Sequence, residues 1–240
     1  DLGDILNKYT SGKLPKLFGV LPTLEDWKDL IGYTKPYSWT PHAMFEGTCI
    51  FASNLNNTLV EDFYKLYLVP YIRANIRKFG KLNIYLYNAL KKAIYKPAGF
   101  FKGVIFTMAE NLSTKEANII GSILQKCSIP IAHSSSAIMR LCELNGLNRI
   151  SHGHFFFIKL LLSKKYALPT QVKSGIINFL VNISQNKALS NNGSFPVIYH
   201  QLLLTLCQIY KFDLSPVEKD EIRKLCNQFT HKAITEHILR

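Results

Sequence analysis

Two long stretches of this 240-residue chain hold no carboxylate: no Asp or Glu occurs between Phe63 and Ala109, and none between Leu144 and Phe212. The first gap carries Lys65, Arg73, Arg77 and Lys78 together with lysines at 81, 91, 92, 96 and 102. The second carries Arg149, Lys159, Lys164, Lys165, Lys173, Lys187 and Lys211. Net charge is +13, and segregation of this kind raises a positive field over part of the surface. An anionic partner is expected: nucleic acid first, an acidic protein second, an anionic membrane surface a distant third.

Long apolar runs are also missing. The nearest approach is FFFIKLLL at 155–162, which is short and contains Lys159, so no membrane span and no membrane partner are expected. The five cysteines form no C-x-x-C and no His/Cys pair at zinc spacing; their odd number on separated apolar segments predicts reduced, buried thiols in a nuclear or cytosolic protein. Gly12-Lys13 fails as a P-loop, because Asn7 stands where its first glycine belongs and Leu14 replaces Ser/Thr. His152-x-His154 lacks a third metal ligand and reads as a polar loop with one capping histidine. Ser134-Ser135-Ser136 lies in no G-x-S-x-G, and small residues at a close helix crossing account for it. Glu46, Glu110 and Glu143 are isolated, so no catalytic pair, metal site or cofactor is expected. The first residue is Asp1, not Met, and the chain is expected to be a piece of a longer protein.

What is present is a core-forming composition, 48% hydrophobic against 19% charged, cut into helix-length segments. Sustained period-two alternation is absent. Thr23 is expected to cap a helix over 24–32, and Thr40-Pro41 to open the next. A longer helix should run from about Asn57 to Phe79, kinked at Pro70 and stopped by Gly80. Ser113-Thr114-Lys115-Glu116 and Ser215-Pro216-Val217-Glu218 are capping boxes. Residues 144–153 read as a polar loop, and 185–195 as the most loop-like and mobile stretch. About ten helices with short, Pro-closed connections predict an all-α, irregular helical-repeat (HEAT/armadillo-like) solenoid. Residues 1–22 read as a leading segment and 23–240 as a single α-helical domain.

The segment KLNIYLYNALKKAIYKPAGFFKG, Lys81–Gly103, joins these signals. On a helix, Leu82, Leu86, Ala89 and Ala93 share a packing face, while Tyr87, Lys91 and Tyr95 point the other way. Lys81, Lys91, Lys92, Lys96 and Lys102 are the candidate phosphate contacts, with Tyr95 or Tyr87 stacking on a base. Lys164 and Lys165 offer a second contact. The alternative is ordinary packing: tyrosines on a second buried face with lysines snorkelling at its edge. A rival role makes Phe100 and Phe101, with Val104 and Ile105, an aromatic groove for a partner helix.

The same segment resembles the signature of the bystin family. WTPHAM at 39–44, IFASNL at 50–55, SIPIAHSSSA at 128–137, KKYALP at 164–169, PVIYHQLLLTLCQIYK at 196–211 and LPKLFGVLPTLEDW at 14–27 are similar to it too. These blocks follow family order over nearly the whole chain. The resemblance implies a helical-repeat scaffold with no enzymatic activity that acts in assembly of the small (40S) ribosomal subunit. It further implies contact with pre-18S rRNA in pre-ribosomal particles that contain small nucleolar RNA, and with small-subunit head proteins and other assembly factors. The implied location is the nucleolus and nucleus, with passage into the cytoplasm on pre-40S particles. The family's long charged N-terminal extension has no counterpart in this sequence.

Overall fold

A computed structural model describes residues 2–143, 151–185 and 195–239. Of the loops expected at 144–153 and 185–195, residues 144–150 and 186–194 lie outside the described residues; His152 and Gly153, expected in the first loop, instead open a helix capped by Ser151. Among the described residues every regular element is helical and no strand occurs, as the all-α reading predicts. The chain divides into two compact units, one built from 1–108 and 113–128, the other from 109–112 and 129–240.

In the first unit, α1 (Leu2–Lys8), α2 (Lys16–Val20) and α3 (Trp27–Tyr33) precede α4 (Pro41–Asn54). Residues 1–22, read from the sequence as a leading segment, pack inside this unit. Leu6 and Phe18 are fully buried, and Phe18 meets the rings of Trp39 and Phe51. Thr23 does not cap a helix: it ends a 3-10 turn, Leu21–Thr23, and its hydroxyl donates back to the Val20 carbonyl. Pro22 at the start of that turn supplies the φ that a tight 3-10 turn needs. Thr40 does cap α4, accepting from the Ala43 N–H with Pro41 at the first helical position.

The run from Asn57 to Phe79 forms as expected but with a π-helical middle. α5 (Asn57–Phe63) passes into a π turn, Tyr64–Leu68, and then α6 (Val69–Phe79). Val69 N–H bonds to the Tyr64 carbonyl, one residue further back than in an α-helix. Widening the turn before Pro70 accommodates a residue that has no N–H and whose ring crowds the preceding turn. Gly80 stops α6 at a left-handed φ of 69°. α7 (Ile84–Ala93) follows. Then α8 (Pro97–Phe100), a second π turn (Phe101–Phe106) and α9 (Thr107–Ala109) run on, before α10 (Thr114–Lys126). The two π turns lie against each other. The Ser113–Glu116 capping box opens α10 as read from the sequence.

The second unit holds α11 (Ile131–Glu143), α12 (His152–Leu162), α13 (Thr170–Ser184), α14 (Val197–Tyr210), α15 (Pro216–Gln228) and α16 (Thr235–Leu239). α12 and α14 pack together, as do α11 and α13. Phe155, Tyr199 and Phe195 form the aromatic part of this core. Ser134 and Ser135 are buried on α11, where their small volume suits close packing.

Candidate nucleic-acid interface

Asn83 starts α7 by accepting the Tyr85 N–H at 2.9 Å, so Leu82 lies before the helix, not on it. Leu86, Ala89, Leu90 and Ala93 are the buried face, and they pack on α4. Two alanines on that face bring α4 and α7 close. The three tyrosines of the segment then take different roles. Tyr85 stacks on His42, with ring centroids 4.1 Å apart and planes at 15°. His42 is itself held by the Thr10 carbonyl at 2.7 Å and Glu46 at 3.5 Å, so Tyr85 belongs to packing. Tyr87 is half-buried with the Lys91 ammonium 6.0 Å from its ring centre. Tyr95 is 76% exposed and carries the Lys92 ammonium 4.6 Å from its centroid.

Lys91 and Lys92 fill the last turn of α7, where they also face the negative end of the helix dipole. Lys96 sits half-buried just beyond, before Pro97. Lys81 is exposed after the Gly80 stop. Among the described residues no carboxylate pairs with Lys81, Lys91, Lys92 or Lys96. Lys102 differs: it is exposed but lies 4.0 Å from Glu61, so the fold offers it a carboxylate that the local sequence lacks. Lys115 is a basic residue that sequence reading missed. Its ammonium lies 3.4 Å from where a side chain on Gly80 would begin, beside the Lys81 corner. The only hint in the sequence is the exposed second position of a capping box.

Lys164 and Lys165 belong to the second unit. The Lys164 ammonium is 5.7 Å from the Tyr166 ring centre, and Lys165 is exposed at a left-handed φ of 56°. Phe100 and Phe101 do not form a groove: they are 1% and 3% exposed, and Val104 and Ile105 are fully buried. The π turn rotates these side chains inward against α5, so the proposed aromatic seat is core. His154 is the capping histidine of its pair. Its Nδ1 accepts the Ser151 N–H at 3.3 Å, and burial pushes its pKa down against the Ser151 hydrogen bond and Glu110. Among the described residues no group of three His, Cys, Asp or Glu could hold a metal, and no helix is long and apolar enough to cross a membrane.

The whole chain, residues 1–240, matches the Bystin family model. The chain belongs to the bystin family. It is 41% identical to Bystin of Nematostella vectensis over 242 residues, covering 100% of this chain and 54% of that protein. It is 40% identical to Bystin of Homo sapiens, covering 99% of the chain and 53% of the relative, and 40% identical to Bystin of Arabidopsis thaliana, covering 100% and 52%. The chain thus spans about half the length of the curated relatives it matches. The bystin blocks quoted from the sequence fall on caps and packed faces: WTPHAM supplies Trp39, whose indole N–H donates to the Thr34 carbonyl at 3.0 Å, and the Thr40 cap. KKYALP supplies Tyr166, whose hydroxyl accepts the Ile129 N–H at 3.2 Å.

Proposed function

We propose that this chain is the helical scaffold of a non-enzymatic factor that assembles the small (40S) ribosomal subunit, gripping pre-18S rRNA with the C-terminal end of α7. The observation that carries the reading is the cluster at the end of α7, where the Lys92 ammonium lies 4.6 Å from the open Tyr95 ring, Lys91 lies 6.0 Å from the half-buried Tyr87 ring, and no carboxylate competes among the described residues. Ammonium groups neutralise phosphates, and a ring set beside them stacks on an unpaired base. Lys81, Lys96 and Lys115 extend the basic edge, while Lys102, close to Glu61, contributes less. Lys164 and Lys165 form a separate contact on the second unit. A rigid helical surface suits a placeholder, because little ordering remains to be done on binding. Small-subunit head proteins and other assembly factors are the accompanying partners. Location follows the particle, from nucleolus and nucleus into the cytoplasm on pre-40S.

Ultraviolet crosslinking in pre-ribosomal extracts tests this, with crosslinks mapped on both protein and RNA. Peptides from 81–103 joined to pre-18S rRNA are the expected result; crosslinks confined to other segments move the RNA surface away from α7. Replacing Lys91, Lys92 and Lys96 by Ala should reduce the log–log salt slope of single-stranded RNA binding by about 0.7 for every phosphate that is no longer neutralised. An unchanged slope removes the assignment.

A further inference from the structure

A second surface of the first unit is built differently. The turn at Pro36–Ser38 and the outer side of the π turn and α6 enclose a groove of about 690 Å³. Tyr37, Leu66 and Phe79 on its walls are 78%, 52% and 56% exposed, an unusual density of open apolar side chains. Tyr67 and Tyr71 form its floor. Their hydroxyls donate to the carbonyls of Lys28 and Trp39, so the groove meets their rings and not their polar ends.

The backbone around the groove is fixed. Pro36 and Pro70 both line it, and Lys35 holds a left-handed φ of 53°, which costs a non-glycine residue about 1 kcal/mol. The Lys35 carbonyl accepts both the N–H and the hydroxyl of Ser38, which locks the corner carrying Tyr37. Both walls come from stretches without acids, 30–45 and 64–109. Exposed Lys78 lines the groove, its ammonium 5.2 Å from the Phe79 ring centre, and exposed Lys35 immediately precedes the lining residue Pro36. At the Tyr67 end Asp29 lies near Tyr67 and Lys28 is paired with Asp62 at 2.5 Å, and α1, which carries Asp4, packs against the Pro36–Ser38 turn.

We infer that this groove docks a short acidic peptide segment of a partner protein, seating two or three of its large apolar side chains between Tyr37, Leu66 and Phe79 while its carboxylates meet Lys35 and Lys78. Nucleic acid fits less well, because the mostly apolar lining presents few polar groups to satisfy base edges. A second copy fits poorly too, since two chains of charge +13 repel. The inference does not depend on RNA binding at α7.

The test is selection of a phage library of random 16-residue peptides on the 240-residue protein, with clones then measured on variants whose helicity is confirmed by circular dichroism. Tyr37→Ala/Phe79→Ala removes two exposed rings, and Lys35→Glu/Lys78→Glu reverses the rim while leaving the lining intact. The expected result is a set of clones combining Asp/Glu with Leu, Phe or Trp, each losing affinity at least about tenfold on either variant. Clones that are neutral or basic, that bind both variants as well as the parent, or that are absent altogether overturn the inference. Crosslinking of poly(U) to Tyr37 or Phe79, or a self-association abolished by Tyr37→Ala/Phe79→Ala, would assign the groove to RNA or to a second copy and overturn it as well.

Discussion

Gly103 has no side chain because two backbones meet there: a methyl group at that position would begin 2.7 Å from the Glu61 carbonyl oxygen and 2.9 Å from Tyr64 Cβ. Both neighbours are helical and cannot retreat cheaply. Gly103→Ala should therefore destabilise the protein by about 1–3 kcal/mol, read as a lower urea midpoint. Phe100→Ala, which empties a fully packed site nearby, should cost about 3–5 kcal/mol. Equal stability of Gly103→Ala and parent would mean that α5 can move away from this crossing at little cost. The same packing explains why the aromatic stripe at 100–105 resembles a docking seat in the sequence and is core in the fold. Residue type alone does not distinguish a phenylalanine offered to a partner from one already covered.

At the scale of elements, capping chemistry was the most legible part of the sequence, and the caps at Glu218 and His154 link it to pH. Glu218 closes the box that opens α15: its Oε2 accepts the Ser215 N–H at 2.8 Å, and its Oε1 accepts the Ser174 hydroxyl from α13 at 2.6 Å. Desolvation pushes this carboxyl up, but the Ser174 and Ser215 hydrogen bonds and nearby Lys173 outweigh it and hold the pKa below the usual carboxylate value. Its contribution is thus fully present above the unfolded value and is lost as pH falls through the lower folded value. Ser174→Ala should cost about 0.5–1 kcal/mol near neutral pH, modest because the pair is partly solvated, and the gap to parent should close in acid. A gap that persists in urea melts well below about pH 4.5 would contradict this.

His154 works in the opposite sense to a stabilising charge. Burial lowers its pKa, as it does for His200 beside His231, so the unfolded chain takes up protons that the folded one refuses. Stability should accordingly fall as pH drops below the ordinary histidine value of 6.5 and level off below the folded values. His154→Gln retains an acceptor for the Ser151 N–H without a titrating ring. Urea midpoints measured across this range should decline less steeply for that variant than for parent.

For the whole molecule the relevant quantity is where charge sits, not its total. Lys91→Ala/Lys92→Ala/Lys96→Ala and a control triple at Lys219, Lys224 and Lys232 each lower the net charge of +13 by three. The α7 triple should reduce RNA affinity and salt slope, and the control should leave both near parent in filter-binding titrations. Equal loss in the two would mean that RNA responds to bulk charge alone, with no grip at α7.

Composition, capping boxes and helix-length periodicity determined the all-α class and most helix ends, because those signals are local and the residues producing them are neighbours in the chain. The ordered blocks pointed to the family for a different reason, since they record many positions at once. Only the tertiary structure decided what depends on distant partners: that Tyr85 stacks on His42, that Glu61 reaches Lys102, that Lys115 joins the Lys81 corner, and that Phe100 and Phe101 face inward. Burial and charge pairing are properties of surfaces brought together by folding, and no spacing along the chain encodes which surface arrives.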